Sequence, residues 1–159
     1  MFELKGFEPA FSKELSPNDI GATASHQAGL LIPWKIAKLP FFPTLDEETL
    51  NPREIMRFRS INDDSISDCN FIFYNNKLLG LGTRREYRLT GIRKALKVAN
   101  ARAGDTLVFG RMNESFDYAF IVEKRQSIKD SLSNLSTIHL GSEAIKLEGS
   151  WKVIGRWQQ

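Results

Sequence analysis

Arginine, glutamate and arginine alternate in the stretch Arg84-Arg85-Glu86-Tyr87-Arg88. In an extended strand every second side chain shares a face, so Arg84, Glu86 and Arg88 point the same way. An arginine fork fits the O6 and N7 acceptors of guanine, and a carboxylate accepts from the N4 amine of cytosine. Such a row could read adjacent G·C pairs in a major groove. The same residues could instead form a surface ion-pair ladder, each exposed pair being worth only about 0–1 kcal/mol. Arg85 lies on the other face and, with Arg93, Lys94 and Lys97, suits contact with phosphates. Tyr87 suits either a core position or a sugar contact.

The charge around this row is lopsided. Residues 1–80 carry eight Lys and Arg against eleven Asp and Glu, whereas residues 84–102 carry seven basic residues against Glu86 alone. The net charge of +3 therefore conceals one concentrated basic block. A block of this kind points to a polyanionic partner, nucleic acid first, because each Lys or Arg on a phosphate releases condensed counterions. A solvated helix face would give the same charge count.

A second stretch, SPNDIGATASHQAGLLIP at 16–33, is rich in Gly, Ala and Ser, holds a His-Gln pair and runs into an apolar segment. Periodicity alone describes it as a small-residue loop beside a strand.

Catalytic machinery is scarce. His26 and His139 lie far apart, and the apolar context STIHLG gives His139 a structural role. The sequence has no Cys/His spacing for zinc, no phosphate-cradling glycine loop and no Gly-x-Ser-x-Gly elbow. A Mg²⁺-dependent nuclease needs two or more carboxylates converging with a lysine. The nearest candidate is Asp117 with Glu123-Lys124, but adjacent residues face opposite ways in a strand. Capping explains Asp46-Glu47-Glu48 more simply. The single cysteine, Cys69, is read as a half-buried structural thiol. The chain alone is therefore read as a non-enzyme, with no catalytic or metal-binding residues.

At 159 residues the chain is long enough for one domain with a real core. No apolar run reaches the roughly 20 residues that span a bilayer, and the N-terminus does not read as a secretory signal. A soluble, cytoplasmic protein is expected. Short apolar or alternating runs predict strands at 28–32, 55–60, 70–74, 87–90, 107–111, 118–123, 137–140 and 151–154. Helices are predicted over 33–39, opening on Pro33, and over 92–102, with a third candidate at 127–135. Asn75-Asn76 predicts a tight turn, since Asn tolerates the left-handed region, and Ala103-Gly104-Asp105 a turn entering a buried strand. Many short strands with few helices suggest a barrel or sandwich, not a βαβ sheet.

Two segments carry a specific resemblance. Asn18-Asp19-x-Gly21-Ala22-Thr23-x-x-His26-Gln27-x-Gly29, followed by Ile32-Pro33, and Thr83-Arg84-Arg85-Glu86-Tyr87-Arg88-Leu89-Thr90 resemble the N-terminal effector-binding domain of EcoRII-like type IIE restriction endonucleases. The run Ala103–Phe109 looks like the Gly-Asp strand of B3 domains. The pattern departs from the family at Leu31, Gly82 and Tyr87. The resemblance implies a mainly β, B3-like DNA-binding pseudobarrel: an open seven-stranded barrel with short helices. Two arms, about 16–27 and 82–94, would grip double-stranded DNA from the major-groove side at a short site of the CCWGG type. The implied DNA-binding residues are Asn18, Asp19, Thr23, Ser25, His26 and Gln27 of the first arm. In the second they are Arg84, Arg85, Glu86, Tyr87, Arg88, Thr90, Arg93 and Lys94. Gly21, Ala22 and Ala24 would keep the backbone close to DNA, His26 would donate to a phosphate, and Asp19 would face a base amine or cap the loop. Cutting, and its Mg²⁺, would belong to a separate nuclease domain; the isolated domain is expected to be monomeric. A B3-type transcription-factor-like reader without a nuclease is the other reading.

Overall fold

The computed structural model describes residues 6–23, 29–112, 118–125, 145–146 and 151–154. They form nine strands: β1 (Phe7–Glu14), β2 (Leu30–Ile32), β3 (Arg53–Ser60), β4 (Ile66–Tyr74), β5 (Glu86–Thr90), β6 (Thr106–Met112), β7 (Tyr118–Glu123), β8 (Ile145–Lys146) and β9 (Trp151–Val153). Two helices, α1 (Trp34–Ala37) and α2 (Ile92–Val98), complete them. One sheet holds every strand in the order β2-β5-β4-β3-β7-β6-β1-β9-β8. All neighbours are antiparallel except β3 and β7, which run parallel. The first seven strands in that row make the expected seven-stranded unit, and the short β9 and β8 extend it beyond β1.

Aromatic side chains curl the sheet. Phe42 stacks on Phe71 of β4 with ring centres 4.6 Å apart and on Phe11 of β1 at 5.9 Å. Three strands separate β4 from β1 in the sheet, so one ring can touch both only if the sheet bends around it. Phe58 of β3 likewise meets Phe109 of β6 at 5.5 Å across β7. Phe11, Phe41, Phe58, Phe71, Phe73, Phe109 and Phe120 are fully buried. Burying each stabilises the fold by about 1.5–3 kcal/mol, before the extra gain from edge and stacked ring contacts.

Several predicted elements fall within a residue or two of the observed ones, and four differ for identifiable reasons. β1 was not predicted: Pro9 interrupts its pattern, and the chain accommodates it at a bulge where the register against β6 shifts between Pro9 and Phe11. β4 begins four residues earlier than its apolar run, with Ile66 and Asp68 on the solvent side. α2 ends at Val98, short of the predicted 102. Asn100 takes φ 58°, and the Ala101 and Asn100 amides donate to the Leu96 and Lys97 carbonyls at 2.9 and 3.0 Å, a Schellman closure. The Asn75-Asn76 turn exists, but neither residue is left-handed. Asn75 is buried, and its amide group donates to the Glu47 and Thr49 carbonyls while accepting from the Asn51 amide. It pins the 46–51 loop. The predicted helix at 127–135 and strand at 137–140 lie outside the described residues. No helix among the described residues is long and apolar enough to cross a membrane.

Candidate nucleic-acid interface

β5 carries Glu86 and Arg88 of the Arg-x-Glu-x-Arg row, and Arg84 lies two residues before it. Its Tyr87 and Leu89 enter the core, which leaves Glu86, Arg88 and Thr90 on the outer face. Arg84 donates to Glu86 Oε1 from Nη2 at 2.7 Å and from Nε at 3.2 Å, and Arg88 Nε donates to the same oxygen at 2.8 Å. The Arg84 guanidinium also lies 3.6 Å from the ring centre of Tyr74, the cross-strand partner of Glu86. One carboxylate oxygen thus orients two guanidinium groups. Burial alone would raise the Glu86 pKa, but the hydrogen bonds from Arg88 and Arg84 outweigh it and hold the carboxyl below its ordinary value.

The two arginines are not equivalent. The Arg84 side chain is 43% exposed and the Arg88 side chain 5%. Arg88 is flanked in register by Leu31 of β2 and Ile72 of β4, and its Nη1 lies 3.5 Å from the Gly29 carbonyl, a long contact. The row is an ion-pair ladder in which Arg84 faces solvent and Arg88 does not.

Around it, Arg85 is exposed with its guanidinium 4.8 Å from the centre of the Trp34 ring. Lys94 on α2 is exposed and Thr90 half-buried. Tyr87 belongs to the core: it is 2% exposed, stacks on Phe73 at 4.4 Å and donates its hydroxyl to Glu47 Oε1 at 3.1 Å. Glu47 also pairs with Lys38.

Residues 16–22, at the start of the expected first arm, form a compact turn. Asp19 is 6% exposed and accepts from the Ser16 amide and hydroxyl, each at 2.8 Å, and from the Lys13 ammonium. Of its two expected roles, capping is the one its bonds fulfil. Thr23 donates to the Asn18 side-chain carbonyl at 2.9 Å, and Arg93 Nη2 donates to the Asn18 main-chain carbonyl at 2.7 Å. Ser25, His26 and Gln27 lie outside the described residues. Gly29 leads into β2, and its φ of +80° and position would set a Cβ 2.2 Å from the Leu89 carbonyl oxygen, so only glycine fits.

Two of the residues considered for catalysis, Lys124 and Asp46, have structural partners. Lys124 pairs with Asp105 at 3.2 Å and donates to the Ala99 and Asn100 carbonyls, closing the end of α2. Asp117 lies outside the described residues. Asp46 accepts from the Glu48 amide and the Thr49 hydroxyl, which closes a loop turn and caps no helix. Cys69 is fully buried, and burial pushes its thiol up to about 12. Among the described residues no group of three or more His, Cys, Asp or Glu could hold a metal ion. Sequence reasoning missed Tyr74 and Trp34, the rings beside Arg84 and Arg85; a cross-strand pairing of Tyr74 with Glu86 was the one signal that could have found the first.

The curled sheet and its strand order define a B3-like pseudobarrel. Among solved structures, the "Arabidopsis FUS3-DNA complex" is similar at a TM-score of 0.56 with 19% identity, over 74% of this chain and 98% of that one. The B3 domain of UbaLAI restriction endonuclease, solved with cognate DNA, is similar at 0.52 with 21% identity, over 94% and 89%. The family model described as "Restriction endonuclease EcoRII, N-terminal" matches residues 8–123, and the chain belongs to that family. It is 39% identical over 82 residues to the type II restriction enzyme EcoRII of Escherichia coli, a match spanning 50% of this chain and 20% of that enzyme.

Proposed function

We propose that this domain binds double-stranded DNA sequence-specifically, as the effector or target-recognition domain of a restriction endonuclease, at a short site of the CCWGG type. The observation that carries the proposal is the exposed Arg84 fork, held by Glu86 and stacked on Tyr74, in a chain of the EcoRII N-terminal family. A fork fixed in direction before binding loses little freedom when it meets guanine O6 and N7. Glu86 offers its second oxygen to a cytosine amine. Arg88 reads a neighbouring base only by leaving its buried seat, and otherwise serves to hold Glu86. Arg85 and the exposed Lys94 and Lys97 lie on phosphates and set the register of the duplex. The first arm, with Thr23, Ser25, His26 and Gln27, closes on the same groove.

The domain acts as a monomer, and cutting, with its Mg²⁺, belongs to another part of the enzyme. Fluorescence anisotropy with a CCWGG duplex and a scrambled duplex tests the proposal. Specific affinity should exceed non-specific by at least about 10³-fold; equal affinities would overturn it. Plasmid incubated with this chain and Mg²⁺ should stay uncut, and specific cuts would overturn the division of labour.

A further inference from the structure

The two arms are joined inside the protein. Arg93, the second residue of α2, donates from Nη2 to the main-chain carbonyl of Asn18 at 2.7 Å. That carbonyl also accepts from the Gly21 amide at 3.2 Å, and the Ala22 amide donates to the Pro17 carbonyl at 2.9 Å, so the guanidinium caps the turn from which the first arm leaves. The side chain runs along Gly21: a Cβ there would sit 3.7 Å from Arg93 Cδ. Beneath the turn, the buried Lys13–Asp19 pair and Ser16 fix its other side. The anchor is firm, because Ile92, Ala95 and Leu96 bury the opposite face of α2 in the core. α2 follows β5 directly through Gly91, and β5 carries Glu86 and Arg88.

We propose that Arg93 is a positioning residue: it sets the first arm's root against the helix behind the arginine row, and so fixes the spacing between the arms, and does not contact a phosphate. A guanidinium committed to a main-chain carbonyl suits the planar fork better than the point charge of a lysine. The proposal rests on the DNA-binding reading above, and its test separates the two.

Amide exchange of the free domain, wild type and Arg93→Gln, reads the clasp without DNA. Exchange at Gly21 and Ala22 should accelerate about tenfold or more once a charged hydrogen bond is removed. Specific-duplex affinity, measured over a salt series, should fall about tenfold at every salt, with the salt slope unchanged. Lys94→Gln is the internal contrast: its slope should fall by about 0.9 while Gly21 and Ala22 keep their protection. An Arg93→Gln slope reduced by about 0.9 with protection intact would make Arg93 a phosphate contact and overturn the proposal. Lost protection with unchanged affinity would also overturn it, since the arm's root would then not govern binding. Failure of the wild-type domain to bind any duplex would instead remove the DNA-binding reading, and the positioning role with it, whatever the exchange data show.

Discussion

Arg88 Nε lies 2.8 Å from Glu86 Oε1, and within this pair the arginine is the more deeply buried, its side chain 5% exposed against 26% for the glutamate. A hydrogen bond to a charged group is typically worth about 1.5–3 kcal/mol, whereas exposed ion pairs are worth about 0–1 kcal/mol.

Arg84→Ala and Arg88→Ala should therefore separate. Chemical denaturation should show Arg88→Ala losing about 1.5–3 kcal/mol of stability, from the lost charged hydrogen bond and the lost packing of its buried stem, and Arg84→Ala less than about 1 kcal/mol. Arg84→Ala should cost about 1–3 kcal/mol of specific binding and relax one G·C position. Equal stability losses would contradict the unequal placement of the two forks.

Tyr87→Phe keeps the ring stack on Phe73 and deletes the hydroxyl with its bonds to Glu47 and Lys38. About 1 kcal/mol of stability should be lost, with duplex affinity unchanged within twofold. A selective loss of affinity would place the hydroxyl on DNA.

Gly29→Ala would force a Cβ to 2.2 Å from the Leu89 carbonyl oxygen at φ +80°. The β2–β5 pairing must then shift, and denaturation should record a loss above about 2 kcal/mol. A neutral effect would mean that the backbone at Gly29 does not approach Leu89 this closely.

The sequence revealed this architecture unevenly. β7 was legible to the residue because Tyr118–Glu123 is a short apolar run with turn neighbours, and the Arg84 row was legible from its period of two. β1 was not, because Pro9 and a bulge erase the alternation that would mark it. The burial of Arg88 could not be read either: it depends on Leu31 and Ile72 flanking it in the sheet, partners 57 and 16 positions away in the chain. Charge signalled a basic face, but only tertiary pairing separates an arginine facing solvent from one locked beneath it. Asn75 shows the same limit. Its type suggested a turn, while its bonds to Glu47, Thr49 and Asn51 need the folded chain.

Asp105 gives the pH dependence. Burial alone would raise its carboxyl, but the Arg102 and Arg125 amides and the Lys124 ammonium outweigh that and hold it below the ordinary value. A depressed folded pKa contributes stability that is present above the unfolded value of about 3.9 and lost as pH falls through the folded one. Asp105→Asn should cost about 1–3 kcal/mol at pH 7, and the gap to wild type should narrow below about pH 4. Thermal denaturation across pH 2–8 checks it; a gap independent of pH would mean the carboxylate charge contributes nothing.

Selection of bound duplexes from a randomised pool, with wild type and Arg84→Ala in parallel, bears most directly on the central claim. Wild type should enrich one short, near-palindromic site containing adjacent G·C pairs, and Arg84→Ala should enrich the same site with one of those positions relaxed. An unenriched wild-type pool, or Arg84→Ala weakening all duplexes alike with the site unchanged, would contradict it.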